Sequence, residues 1–421
     1  MQYWQLFKIS ARNLFRNRRR TLITLFILTL SSVGLVAMGG FFDRLLFLLR
    51  EAYIRTGSGH LQISKQNFNE KGTTQPFDYL LDNYSQLKRE LKKNPAIEHL
   101  APTIKFGGML TNDDTSIPII AVGVDPNVDM AMGNVSLIKG GQRFVNVVEG
   151  EYLSPDDPYG IIIGEDMKKA LGTQVGDTVE FITTQRLGAI EGAEFHVRGV
   201  YQAAFKELGE RMIKMPIETA QKIWAIPDQV HTVSVHLDNT DDTLLVKGQL
   251  ENMPELRNWK LDIIPWNQLG LAYQQSMMFL TRIYRILQTI IAIIILFSIA
   301  NTINMNLLER IKEYGTMMAI GCNRSTVFTM IVTEAGLMGL LGGAFGLVFS
   351  VLTAIIISHS GLEIPPPPMT ATSTRLKLVI MLSPRLLIET FWICFFSTLL
   401  SSLLPAIRAV RFRIVRALGY V

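Results

Sequence analysis

Residues 309–328 read ERIKEYGTMMAIGCNRSTVF, with five charged side chains, a tyrosine and two glycines between two runs apolar enough to cross a bilayer. Elsewhere the residue types that perform covalent or metal chemistry do not converge. No G-x-x-x-x-G-K-S/T phosphate loop occurs, so the chain has no such motif with which to hold ATP itself. HExxH, CxxC and G-x-S-x-G are also absent. His231 and His236 stand five residues apart on an expected strand, an odd spacing that sends them to opposite faces, whereas metal ligands must converge. The carboxylate pairs Asp113 and Asp114, Asp156 and Asp157, and Asp241 and Asp242 fall in or beside expected turns, where solvated charge is their ordinary role. The residues therefore predict no catalytic group and no metal site.

As a helix, the opening stretch puts Ile311, Tyr314, Gly315 and Met318 on one face and Glu309, Glu313, Thr316 and Ile320 on the other. Gly321 suits the helix end, where a positive φ is common. The product is a short amphipathic helix, read either as a solvated connector or as a surface presented to a partner.

The elements that must position this helix follow from composition. The 421 residues are 48% hydrophobic and 18% charged, with mean hydropathy +0.25, a balance that predicts a membrane protein with a water-exposed part. Segments 21–42, 286–308, 327–357 and 386–407 are each long enough to cross a ~30 Å hydrocarbon core, the last two carrying only Glu334 and Glu389. Those two carboxylates are costly at membrane depth and are expected against protein or near an interface. Residues 43–278 hold 23 basic and 31 acidic side chains, net −8, against +13 for the remainder. The pI near 9.1 is thus a property of the membrane part and no nucleic-acid signal.

Basic residues mark the cytoplasmic side of a span. Lys8, Arg12, Arg16, Arg18, Arg19 and Arg20 precede the first span, and Arg408, Arg411, Arg413 and Arg416 follow the last, so both termini and the 309–326 connection are expected inside. The 43–278 domain and the Pro365–Pro368 run then lie outside. RNRRR before an apolar run resembles a signal peptide, but the run is long and lacks an A-x-A-like cleavage site. Trp4, Phe7, Ala11, Leu14 and Phe15 share one helical face flanked by Lys8, Arg12 and Arg16, the pattern of a helix lying among headgroups.

The outer domain is expected to be α+β, in two lobes. Strands are read in HLQIS (60–64), IPIIAVGV (117–124), DTVEFIT (177–183), EFHVRGVY (194–201) and TVSVHL (232–237), with helices over 166–171, 217–224 and 241–253. Cys322 and Cys394 lie outside this domain, which therefore has no disulfide framework. In the third span Gly336, Gly339, Gly342, Gly343 and Gly346 include two overlapping GxxxG spacings, which let helices approach closely in lipid.

With Arg310, Glu313, Gly315, Ala319 and Gly321 in the connection, and Glu334, Gly342 and Gly346 in the next span, the sequence resembles the FtsX-like permease family of ABC transporters. ARNLFRNRRRTLIT resembles that family's approach to its first span and PAIRAVR its exit from the fourth. GHLQIS, AVGVDP and GIIIGEDMKKALGTQVGDTVEF are more similar to the lipoprotein-releasing branch. Two departures stand out. TTQRLGAIEGAE (183–194) is short where one permease type of that branch has a chaperone-engaging hairpin, and Arg413 and Ile414 replace an Asp-Pro pair before Ala417 and Leu418.

The resemblance implies four transmembrane helices with a MacB-like periplasmic core between the first two. The expected order is a cytoplasmic amphipathic helix (1–20), first span (21–42), extracytoplasmic α+β domain (43–278), second span (279–308), cytoplasmic coupling helix and loop (309–326), third span (327–357), extracytoplasmic loop (358–385), fourth span (386–407) and cytoplasmic tail (408–421). It implies that Glu309, Arg310, Lys312, Glu313, Tyr314, Gly315, Met317, Ala319 and Gly321 couple to an ABC ATPase, which alone binds ATP and Mg, this chain holding no cofactor. Gly339, Gly342, Gly343 and Gly346 are the helix-packing residues. A second permease chain, identical or not, membrane lipids, a lipoprotein substrate and an extracytoplasmic accessory protein complete the expected partners, in a bacterial inner membrane.

The implied work is release of lipoproteins, with Met38, Phe41, Phe42, Met277, Met278, Phe279, Ile283 and Ile286 able to line an acyl-chain site at the outer ends of the first two spans. The alternatives are a MacB-like efflux or mechanotransmission permease for peptides, toxins or drugs, and an FtsX-like regulator of a cell-wall hydrolase.

Overall fold

The computed structural model describes residues 2–16, 18–72, 74–112, 115–133, 146–186, 188–202, 211–364 and 376–411. Asp113, Asp114, the Pro365–Pro368 run and residues Arg413, Ile414, Arg416, Ala417 and Leu418 lie outside them. In chain order the helices are α1 (Gln2–Arg16), α2 (Arg18–Tyr53), α3 (Phe68–Lys71), α4 (Tyr84–Leu91), α5 (Pro126–Gly133), α6 (Glu165–Leu171), α7 (Ile217–Ile223), α8 (Thr243–Glu251), α9 (Leu271–Glu309), α10 (Ile311–Ala319), α11 (Arg324–His359) and α12 (Pro384–Arg411). The strands are β1 (Leu61–Lys65), β2 (Ile97–Asn112), β3 (Thr115–Val124), β4 (Asn146–Gly150), β5 (Gly160–Gly164), β6 (Thr178–Thr184), β7 (Ile190–Gln202), β8 (Met212–Pro216), β9 (Thr232–Leu237) and β10 (Leu261–Pro265). Contacts divide the chain into a helical unit (Met1–Phe47, Met277–Glu363, Lys377–Val421) and a sheet unit (Leu48–Ser276, Ile364–Leu376).

Among the described residues, four helices are long and apolar enough to cross a membrane: Thr21–Ser58, Tyr273–Glu309, Arg324–His359 and Pro384–Arg411. At 1.5 Å per residue α2 extends about 54 Å and α9 about 58 Å, well beyond a ~30 Å hydrocarbon core. Both overrun the segments read from hydropathy because residues 43–53 and 271–278 contain neither Gly nor Pro to stop a helix. At the start of α12, Pro384 occupies a first-turn position that needs no donor, and the Ser383 hydroxyl caps it by accepting from the Leu386 N–H at 3.2 Å.

The overlapping GxxxG spacings in α11 serve two different neighbours. A Cβ at Gly339 would lie 3.3 Å from Phe395 and Thr398, and one at Gly343 2.9 Å from Phe391, all on α12. A Cβ at Gly342 would strike Leu28, and one at Gly346 would come within 2.6 Å of Ser32, both on α2. Ser32 also faces Ser350 at 3.2 Å, so the close approach is fixed by a buried hydroxyl pair. Gly336 has only Leu399 nearby, at 3.8 Å, and is not a contact of this kind. Helix α1 packs on α11 through Ser10, Asn13 and Leu14, with Ser10 Oγ donating to the Met330 carbonyl at 3.3 Å. Of the apolar face read for α1, Phe7 is exposed and Leu14 is buried.

In the sheet unit, the observed strands cover the five alternating runs read from the sequence. They form one ten-stranded sheet ordered β10-β1-β9-β2-β3-β8-β5-β7-β4, with β6 pairing both β2 and β7. The β6 pairings close a ring of six strands, β2-β3-β8-β5-β7-β6, so the strands are joined in one sheet rather than the two lobes expected. The long β2 makes this joint: residues 97–103 pair with β9, 109–111 with β6, and the opposite edge with β3. Gly108 is required where β2 meets β6, since a Cβ there would collide with Phe181 and lie 2.7 Å from the Ile182 carbonyl. Parallel pairs β3–β8 and β5–β7 sit among otherwise antiparallel ones.

Alternation along the ring strands sends Ile104, Phe106, Ala121, Ile161, Ile163, Ile213 and Met215 to the main core, with Trp224 from the end of α7. Phe106 stacks 4.2 Å from Trp224, whose Nε1 donates to Thr183 Oγ1 at 3.1 Å. The intervening residues Val122, Val124 and Ile162 form a smaller cluster with Leu153 and Tyr201.

Candidate functional site

The 309–328 stretch folds as the helical spacing predicts. Arg310 leaves helical geometry (φ −100°, ψ 9°) and separates α9 from α10, while its carbonyl accepts from the Tyr314 N–H at 3.1 Å to start the new helix. Ile311, Tyr314, Gly315 and Met318 are buried. Tyr314 and Met318 join Leu307, Val327, Met330, Ile331, Ala406 and Ala409 in one apolar cluster. Gly321 ends the turn at φ +100°, with its N–H on the Met318 carbonyl and the Cys322 N–H on the Met317 carbonyl, the paired closure that a left-handed glycine permits.

The charged groups of this stretch divide into two sets. Arg310 is 7% exposed and is held on three sides. Its Nη1 donates to both oxygens of Glu334, at 3.1 and 3.2 Å, and its Nε donates to Glu313 at 3.0 Å. Its guanidinium lies 5.4 Å from the Tyr314 ring centroid. Arg16 of α1 pairs with the other oxygen of Glu313. One arginine thus ties the end of α9, the start of α10 and α11 together, and Glu313 adds α1. Burial pushes the Glu313 carboxyl up, but the hydrogen bond and charge of Arg310, then those of Arg16, outweigh it and hold the group below the usual carboxylate range. Burial raises the Tyr314 hydroxyl to about 12, so it stays neutral.

Glu309, Lys312, Glu313, Thr316, Ala319, Ile320 and Gly321 are exposed, and Met317 is half-buried. Ile320 is 78% exposed, an apolar side chain presented outward beside a lysine and a carboxylate. Of the residues assigned to coupling, Arg310, Tyr314 and Gly315 therefore face inward and hold the helix, while the others form or border its free side. Sequence reasoning missed Arg16 as a member of this group; its signal was a basic helix before the first span, which pointed to lipid.

The residues assigned to an acyl-chain site are less gathered. Phe42 packs on Phe41 (5.9 Å) and on Tyr284 (5.4 Å). Met38, Met277 and Ile283 are half-buried, whereas Met278, Phe279 and Ile286 are exposed. Gly39 and Gly40, which the sequence reading passed over, let α12, through Leu386, and the loop before it, through Ile380 and Met381, approach α2, with the Met381 N–H on the Gly40 carbonyl at 3.1 Å.

His60 and His231 are buried in the sheet unit's interior. His231 accepts from the Lys105 N–H at 3.0 Å and faces the Pro76 carbonyl at 3.0 Å, so both ring nitrogens are engaged. Burial lowers its pKa to about 4. His60 accepts from the Leu237 N–H and meets Thr240, and burial likewise lowers it to about 4. His196 is held by Asp157 at 2.9 Å.

The family model described as the MacB-like periplasmic core domain matches residues 21–253, and the one described as the FtsX-like permease C-terminal matches residues 285–414. The chain is 22% identical over 337 residues to the lipoprotein-releasing system transmembrane protein LolE of Haemophilus influenzae, covering 77% of this chain and 73% of LolE. It is 23% identical over 217 residues to an uncharacterized ABC transporter permease of Methanocaldococcus jannaschii, covering 50% and 52% of the two chains. It is 29% identical over 132 residues to the macrolide export ATP-binding/permease protein MacB of Escherichia coli O157:H7, covering 30% and 20%. The match thus spans about half the length of the methanogen relative and a fifth of MacB. With one model matching over half the chain and the other spanning α10, α11, α12 and α9 from residue 285 on, this protein belongs to the FtsX-like permease family that carries a MacB-like periplasmic core domain.

Proposed function

We propose that this chain is the membrane subunit of an ABC transporter and that the exposed side of α10 is where its ATPase docks. The observation that carries the reading is the division of that helix. Its inward side is clamped by Arg310 to Glu334 on α11 and packed through Tyr314 and Met318, while Lys312, Thr316, Ala319 and Ile320 stay open. A solvated connector has no use for a buried ion pair whose desolvation must be offset by good geometry. A rigid lever does, because a push on its outer face reaches α9 and α11 through the same arginine. ATP and Mg would be held by the ATPase, and two permease chains would act with two ATPase subunits. The basic flanks of the first and last spans support a cytoplasmic position for α10 and both termini, with the sheet unit outside.

For the work performed outside, release of lipoproteins from the inner membrane is the favoured reading, supported by the alignment with LolE over 77% of this chain. The exposed Met278, Phe279 and Ile286 of α9 offer the adaptable apolar surface that an acyl chain would need. MacB-like export is the second reading, supported by the core-domain match at residues 21–253. Depletion of the protein followed by fractionation of acylated proteins tests the choice. Retention of lipoproteins in the inner membrane supports release, and correct sorting after complete depletion refutes it.

A further inference from the structure

Of the four long helices, α9 is the least buried. Its inward face packs through Ile295, Ile299 and Ile303. Its other side carries Ile286, Ile290, Ile293, Ile294 and Phe297, all exposed. That strip has none of the glycines and serines through which α11 meets α2 and α12, and small residues are what helix contacts in lipid favour. Thr289, on the same side, gives its hydroxyl to the Arg285 carbonyl at 2.8 Å. The strip is therefore shaped for acyl chains rather than for another helix.

At the head of the strip stand Arg282 and Arg285, both exposed. Among the described residues, neither guanidinium has a hydrogen-bond or ion-pair partner. Residues 286–308 carry no charge, so Arg285 is the first charged group met on leaving the bilayer along α9. Counted from Glu309 at ~1.5 Å per residue, Arg285 lies about 36 Å and Arg282 about 40 Å along the helix. A hydrocarbon core of ~30 Å within a bilayer of ~40–45 Å puts both in the far headgroup layer. Three residues apart on a helix, their Cβ atoms are separated by about 5–6 Å, so both guanidinium forks reach one phosphate.

The charges around them leave that place open. Residues 43–44, 282–285 and 385–389, at the same end of α2, α9 and α12, hold four arginines and two carboxylates. Asp43 accepts from the Ser383 hydroxyl at 3.3 Å, and Glu389 accepts from Arg385 at 2.7 Å. Glu363, after α11, has a partner of its own. Tyr284, turned away from the two arginines, packs on Phe42 of α2. On the orientation proposed above this is the outer side, where the positive-inside bias places few arginines.

We propose that Arg282 and Arg285 together grip the phosphodiester of one anionic glycerophospholipid, whose acyl chains lie along Ile286, Ile290, Ile293 and Phe297. An anionic headgroup is selected because no free carboxylate stands beside the pair to accept from the ammonium of a zwitterionic one. The site rests on the placement of α9 across the membrane, not on the docking or substrate readings, so its failure leaves both standing.

The test follows the full chain in mild detergent by native mass spectrometry, titrated with phosphatidylglycerol, phosphatidylcholine and soluble glycerol 3-phosphate. Phosphatidylglycerol should bind saturably and more tightly than the other two. Arg282→Gln with Arg285→Gln should bind it at least about tenfold more weakly, since two cations at a headgroup are lost. Arg385→Gln, which removes a guanidinium already held by Glu389, should stay within about twofold of the parent. If the double variant fails to fold, Arg285→Gln alone should weaken binding by about threefold or more. Undiminished binding in the double variant, or an equal loss in Arg385→Gln, would overturn the proposal. So would equal affinity for phosphatidylcholine, or for glycerol 3-phosphate, which would mark a site for free phosphate. A lipid-free dimer that the double variant abolishes would overturn it in favour of a second copy of the chain.

Discussion

In the sheet unit Phe106, Trp224 and His231 stack in an interior where a buried titratable side chain is neutral and both its nitrogens are bonded. In the helical unit the buried Arg310 is charged, and two carboxylates surround it. The first interior is built by removing apolar surface from water, a force worth about 25 cal/mol per Å². Helices in lipid lack that force between them and rely on close packing and polar contacts instead. Position in the sheet unit is therefore set by many interchangeable apolar contacts, and in the helical unit by a few specific ones: four glycines, the hydroxyl pair Ser32 and Ser350, and the Arg310 clamp. A unit held by few specific contacts is the better transmitter of a local push.

That contrast can be broken at several strengths. Trp224→Ala should cost the sheet unit about 3–5 kcal/mol and expose β2, β6 and β9 to hydrogen exchange. Protection of α9, α10 and α11 should be kept; its loss would mean that the two interiors are not independent. Arg310→Met should cost about 3 kcal/mol or more, because Glu334 is left buried without its partner, and the double substitution Arg310→Met with Glu334→Leu should recover most of it. Thermal unfolding of the four variants in nanodiscs gives the coupling, and a strictly additive result would remove the clamp from the account.

Lowering pH should act on the sheet unit. His60 and His231 titrate near 4 in the fold against an ordinary 6.5, so the unfolded chain takes up their protons first. Their contribution is complete above about pH 6.5 and declines as pH falls toward 4, by on the order of 2 kcal/mol for each histidine. His231→Gln should flatten that decline, as read from the unfolding midpoint across the window.

Smaller again, Gly346→Val should cost about 1–3 kcal/mol by driving α11 off α2, whereas Gly336→Ala should be nearly neutral. Equal effects of the two would mean that GxxxG spacing alone, and not the identity of the neighbour, matters. Smallest should be Arg16→Ala, under about 1 kcal/mol, since its pair with Glu313 is solvent-exposed.

What the sequence made legible was local. Alternation located TVSVHL as β9 residue for residue, hydropathy located the four long helices, and helical spacing put Ile311, Tyr314, Gly315 and Met318 on the buried side of α10. What stayed hidden depends on pairing at a distance. The contact of Arg310 with Glu334 joins residues in different helices. The closure of six strands by β6 turns on Gly108, which reads in sequence as an unremarked strand glycine. Which helix each glycine of α11 would meet was equally invisible, because a spacing names a face but not its neighbour. The approach of the loop before α12 to Gly40 had no periodic signal at all.

The most direct test of the docking claim is a cysteine cross-linking scan along α10, in a background lacking Cys322 and Cys394, within the permease–ATPase complex in nanodiscs. Cross-links to the ATPase are expected from cysteines at Lys312, Thr316 and Ile320 and not from Tyr314 or Met318. An intact complex in which none of the exposed positions cross-links, or in which the buried positions react equally, would contradict the account.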